Sequence, residues 1–145
     1  MLIAPHAALG AAIGVIVKEP LIVVPAAIAS HFVLDAIPHW QETLAPYSLT
    51  KRTFIRTPID IILAVLIVVL ISQNATNTWQ VLIGAFAGLA PDIDSLLLLK
   101  PKLLKAPISK DYWNWHCSVQ NETKSIYGLI TQLMVIAFSL TVVLV

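Results

Sequence analysis

The sequence is short of charge. Asp, Glu, Lys and Arg together make up 12% of its 145 residues, against roughly a quarter in soluble domains. With 58% hydrophobic residues and a mean hydropathy of +0.84, the chain cannot cover a water-facing surface, which excludes an ordinary soluble domain. Its one cysteine, Cys117, excludes an internal disulfide and leaves the redox compartment unspecified. The net charge of +1 marks no nucleic-acid partner. The opening run, Met1 to His6, lacks the basic residues of a signal peptide and reads as the start of a first helix. The length is that of one domain. These absences predict a single all-α domain over residues 1–145, an integral membrane bundle of about five helices with membrane lipids as its surroundings.

The apolar runs set the helices. The first covers Pro5 to Val17, with proline suited to the first helical position. Gly10, Ala11, Ala12 and Gly14 form a small-residue surface that lets another helix come close. The second covers Leu21 to Ala36 and is stopped by Pro38, which lacks an N–H and biases Ile37 away from α. Residues 38–57 are polar and aromatic, with Trp40 and Tyr47 as headgroup-level anchors. The third run opens at Thr57-Pro58-Ile59-Asp60, where Thr57 reads as N-cap and Asp60 as its partner, and ends near Ser72. The fourth covers Trp79 to Leu99, interrupted by Pro91, with Asp92 and Asp94 in the turn that follows. A basic stretch carries Lys100, Lys102, Lys105 and Lys110, and an aromatic one runs from Tyr112 to Trp115. The fifth covers Ile126 to Val145, about 20 residues and enough for a bilayer of roughly 30 Å.

Alternating passes of five helices sort the polar residues. His6, His31, Asp35, His39, Asp60, Asp92, Asp94 and His116 all fall on the membrane side that holds the N-terminus. Eight of the nine basic residues fall there too, and only Lys18 lies opposite. The positive-inside rule makes that side cytoplasmic.

Imidazole and carboxylate together suit a divalent metal, zinc first, with manganese or iron as alternatives. His31 and Asp35 are the sharpest local pair, because i and i+4 are neighbours on a helix. Asp92 and His116 complete the preferred ligand set. His6 and His39 are further candidate ligands, and Asp60 or Asp94 would act as general base. Each residue also has a plain structural reading. His31 and Asp35 could simply bond each other, and His39 could sit beside Trp40 in the loop. Asp60 and Asp94 could be helix-start charges, His6 a hydrated side chain, and Cys117 an inert thiol. Gln132 is expected to hydrogen-bond another helix. Two functions fit: a metal-dependent hydrolase acting on a phosphoester or lipid headgroup, and a non-enzymatic carrier or assembly subunit using the same residues for binding.

Three features together, Pro5-His6-Ala7-Ala8-Leu9-Gly10, the Gly88-x-x-Pro91-Asp92-x-Asp94 segment and His116 ahead of the last helix, resemble a family of small bacterial and archaeal inner-membrane proteins, the membrane-bound metal-dependent hydrolases. The resemblance implies a helical inner-membrane protein with a metal-dependent hydrolytic site. The family carries a His-Arg-x-x-Thr-His-Ser segment after the aspartates. Here His116-Cys117 matches only its second half, and Asp111 stands where its first histidine would.

Overall fold

The computed structural model describes residues 1–17, 19–41, 50–99, 107–123 and 126–144. Lys18, Tyr47, Lys100, Lys102, Lys105, Lys124 and Val145 lie outside the described residues, so the orientation argument rests structurally on Lys51, Arg52, Arg56 and Lys110. The described residues form six α-helices and no strand: α1 (Ile3–Ile16), α2 (Pro20–Ala36), α3 (Lys51–Gln73), α4 (Thr78–Leu89), α5 (Pro107–Val119) and α6 (Ile126–Leu144). A 3-10 segment, Ala90–Leu99, continues directly from α4.

The helix α1 is the axis of the bundle. It is apolar all round, and such a helix belongs in an interior. It packs against α2, α3, α4 and α6. Its alanines Ala4, Ala7, Ala8 and Ala11 form the core with Ala64, Ile67 and Ile71 of α3 and Val81 and Ala85 of α4. The crossing of α1 on α4 is a backbone-to-backbone contact. A Cβ at Gly10 would overlap the Gly84 carbonyl oxygen, and one at Gly84 would overlap that of Gly10. At Gly88 a Cβ would stand 2.8 Å from His6 O. This close approach brings the first turn of α1 beside the end of α4.

The outer helices turn apolar residues outward. Ile59, Ile62, Val65, Leu66 and Val69 of α3 are exposed, as are Ile130, Leu133, Met134 and Phe138 of α6. Both helices are long and apolar enough to cross a membrane, with 23 and 19 residues. Alternation of direction holds along the chain, since the start of α1, the end of α2, the end of α4 and the start of α6 meet at one end. Leu2 N donates to Gln132 Oε1 at 3.0 Å, and Gln132 Nε2 donates to Trp40 O at 2.8 Å. Gln132 thus ties α6 to the start of α1 and to the strand of chain leaving α2.

Two boundaries differ from the sequence reading. The helix α3 begins at Lys51 and continues through Pro58. Its N-cap is Thr50, not Thr57: Thr53 N donates to Thr50 Oγ1 and Thr50 N donates to Thr53 Oγ1, each at 3.2 Å. That reciprocal capping box starts the helix two turns early, and the proline forfeits one hydrogen bond within it. The additional helix, α5, is not expected from the sequence because it has no continuous apolar run. It stays at one end of the bundle. Tyr112, midway along it, donates its hydroxyl to Pro91 O at 3.2 Å, and Gln120, just past its finish, donates to Asp35 Oδ2 at 2.8 Å.

Candidate metal centre

Four side chains meet where α2, the 3-10 segment and α5 converge. His31, Asp35, Asp92 and His116 each offer one ligand atom, and these atoms lie within 4.8 Å of one another. The group could hold a metal ion, and it is the preferred set read from the sequence. His31 Nε2 is 3.0 Å from Asp35 Oδ2 and 3.6 Å from Asp92 Oδ1. His116 Nε2 is 3.1 Å from Asp35 Oδ2 and 3.3 Å from His31 Nε2. Ligand bonds of roughly 2.0–2.2 Å in a tetrahedral site correspond to ligand–ligand edges of about 3.3–3.6 Å. The two imidazoles and Asp35 already stand near those separations.

The outer ring nitrogens fix the orientation of both rings. His31 Nδ1 lies 2.7 Å from Gly88 O. A carbonyl oxygen only accepts, so Nδ1 carries the proton and donates. His116 Nδ1 lies 2.8 Å from Asp94 Oδ2 and donates to that carboxylate. Each ring therefore turns its Nε2 towards the same space, where it faces Asp35 Oδ2. Metal-ligating histidines in general show this pattern, with the other ring N–H held by a carbonyl or carboxylate.

The remaining polar residues surround the group. His6 Nε2 is 3.2 Å from the other oxygen of Asp35, Oδ1, and its ring stacks on His31 with centroids 3.9 Å apart. Its Nδ1 has no partner among the described residues, so His6 lacks the outer anchor that His31 and His116 have. The Met1 amino group also bonds Asp35 Oδ1. Gln120 Nε2 reaches Asp35 Oδ2 and, at 3.3 Å, His116 Nε2.

Besides His6, three candidates fall outside the four. His39 is buried, donates from Nδ1 to Ile37 O at 2.8 Å, and forms a parallel bridge with Glu122 that pins the chain after α2 to the stretch after α5. Asp60 accepts from Ile3 N at 2.6 Å and Ala4 N at 3.1 Å. It caps α1 from a neighbouring helix and does not serve the start of its own. Asp94 stands behind His116. Neither aspartate read as a general base is among the four grouped residues.

The electrostatics follow from the geometry. Burial opposes a charge on His116, but its bonds to Asp35 and Asp94 outweigh that cost and hold its pKa up, at about 9. Cys117 faces solvent, while partial burial of its thiol and the nearby charges of Asp94 and Glu122 push it up to about 11. Once an ion displaced the Nε2 proton of His116, two carboxylates and two imidazoles would balance a divalent charge and give a nitrogen–oxygen donor set suited to zinc, manganese or iron.

Sequence reasoning missed the Gly88 carbonyl, which has no side-chain signature. Gln120 lies four residues beyond His116, the spacing that lets both reach Asp35. No protein-family model, curated protein or solved structure matches the chain.

Proposed function

We propose that this protein is an integral membrane hydrolase that uses a divalent ion, zinc first, held by His31, Asp35, Asp92 and His116 at the cytoplasmic membrane face. The observation that carries this reading is the pair of Nε2 atoms aimed at Asp35 Oδ2, each fixed from behind by Gly88 or Asp94. A bound ion would polarise a phosphoryl oxygen and lower the pKa of a coordinated water. The chain's own residues divide the remaining work. Asp35 is fully buried and bonded by His6, Gln120 and both ligand histidines, so it anchors the centre. Asp92 is the open member, with 28% of its side chain exposed, and the substrate approaches on that side. A phosphoester is the substrate class favoured by a divalent centre at headgroup depth. The basic residues Lys51, Arg52, Arg56 and Lys110 support the cytoplasmic orientation, and the resemblance to prokaryotic inner-membrane hydrolases supports the same location.

The test is metal content of the protein purified in mild detergent. About one divalent ion per chain is expected, lost in the His31→Ala/Asp92→Ala double variant. A metal-free wild type that takes up no added zinc, manganese or iron refutes the reading. A non-enzymatic role is favoured by one observation: four protein ligands are the number found in closed structural sites. Metal-dependent flux in proteoliposomes, with no phosphoesterase activity, would decide for it.

A further inference from the structure

An open groove of about 420 Å³ lies beside the metal centre, lined by Ile28, Phe32, Ala90, Pro91, Tyr112 and Trp115. Its volume is within the roughly 300–1,000 Å³ of small-molecule sites. Every lining residue is tied to a ligand. Ile28 and Phe32 flank His31 on α2, Ala90 and Pro91 precede Asp92, and Tyr112 and Trp115 precede His116 on α5. The contacts are direct: the Phe32 ring centroid is 5.3 Å from that of His31 and 5.6 Å from that of His116, and Tyr112 lies 5.9 Å from His116.

The groove's chemistry differs from that of the centre. Its lining offers one hydroxyl, and Tyr112 donates that to Pro91 O. A phosphate seated there would lose its hydration with no charged partner, a costly exchange. A hydrocarbon chain would lose nothing. Asp92, the one ligand with substantial exposure, follows Pro91 directly and so borders the groove. On α2 the row Val24, Ile28 and Phe32 has i, i+4 spacing and lies along one side of the helix. Val24, at the far end of that row, is exposed. The apolar path therefore runs from the ligands to the outer surface of the bundle. Trp115 and Tyr112 border it at 50% and 36% exposure, as aromatic side chains do at the headgroup level.

We infer that the groove seats the hydrocarbon chain of the substrate, so that the molecule acted upon is an amphiphilic phosphoester, a phosphate carried on an alkyl or polyisoprenyl chain. This rests on the reading of the four residues as a metal centre and adds the substrate's second half. The phosphate lies against Asp92 and the ion, and the chain leaves between Phe32 and Trp115 towards the acyl region of the bilayer.

Binding of methyl-, butyl- and hexylphosphonate to the metal-loaded protein in lipid nanodiscs, followed by calorimetry, tests the assignment. Half-burial of each added methylene predicts affinity rising on the order of 30-fold from methyl to hexyl. Ala90→Trp fills the groove and should abolish that rise. In parallel, 6-bromohexylphosphonate should quench tryptophan fluorescence, and most of the quenching should be lost in Trp115→Phe. Equal chain-length dependence in wild type and Ala90→Trp would place the chain in bulk lipid and overturn the assignment, as would full quenching in Trp115→Phe. Metal content, measured on the same samples, reports separately on the metal reading. With 1-bromododecane as probe, quenching that depends on Trp115 in chelator-stripped protein supports the groove without any ion, and its absence counts against it.

Discussion

Truncating Asp94 to alanine removes the group that holds His116 from behind. The pair is buried on both sides, each side chain 5% exposed, with Nδ1 2.8 Å from Oδ2. Two losses follow. The imidazole is no longer oriented with Nε2 towards Asp35, and its Nδ1–H is left buried without an acceptor, a cost of about 1–3 kcal/mol. Outer partners of metal-bound histidines contribute about 10–100-fold in metal affinity. At about 1.4 kcal/mol per tenfold, that is about 1.4–2.8 kcal/mol, consistent with the hydrogen-bond figure. Asp94→Asn keeps an acceptor oxygen but loses the charge, and should fall between wild type and alanine. The assay is competition for zinc against a chromophoric chelator, in mild detergent at fixed pH, with His116→Ala as the reference for loss of a ligand. Unchanged affinity in Asp94→Ala would refute the orienting role. A loss as large as that of His116→Ala would make Asp94 a ligand itself.

Other outcomes follow from the same geometry. The folded, metal-free protein holds the His116 pKa at about 9, above its ordinary 6.5, so its contribution to stability is fully present below pH 6.5 and is lost as pH rises through about 9. Thermal melts of chelator-treated protein should show that decline, and His116→Ala should flatten it. Asp60→Ala should lower stability by about 3 kcal/mol through loss of two charge-assisted bonds to the start of α1, with metal content unchanged. A denaturation midpoint equal to wild type would contradict its capping role. Gly84→Val inserts side-chain atoms where the Gly10 carbonyl lies and should cost about 3 kcal/mol or more, read as loss of folded protein in detergent. Cys117, with its thiol at about 11, should react with iodoacetamide at pH 8 far more slowly than free cysteine, and Cys117→Ser should keep its metal.

The resulting picture is a bundle whose polar chemistry is confined to one end. Close packing of α1 on α4 through Gly10, Gly84 and Gly88 puts His6 beside the segment that carries Asp92 and Asp94. The same end bears the helix starts and stops at which a backbone already needs polar partners. Asp60 and Gln132 serve that need at the start of α1, while His31, Asp35, Asp92 and His116 turn towards one another.

Much of this was legible in the residues alone. Low charge and long apolar runs implied helices with lipid-like surroundings, because few other structures satisfy so apolar a backbone. The i, i+4 spacing of His31 and Asp35 put them on one helical face whatever the rest of the chain did. Alternation of helix direction brought Asp92 and His116 to the same end. Tertiary structure decided what was left. Local cues at Thr57-Pro58 resembled a helix start, but the capping box at Thr50 and Thr53 prevailed. Asp60 looked like a capping residue for its own helix and instead caps α1, a contact between residues 56 and 57 positions apart that no local pattern encodes. His39 had the right chemistry for a ligand, yet its Nδ1 is spent on Ile37 O within a backbone bridge. Which aspartate joins the group of four and which stands behind His116 depended on the atoms they face, Asp92 Oδ1 on His31 Nε2 and Asp94 Oδ2 on His116 Nδ1. That is a matter of side-chain direction across three packed elements, set by how closely their backbones approach.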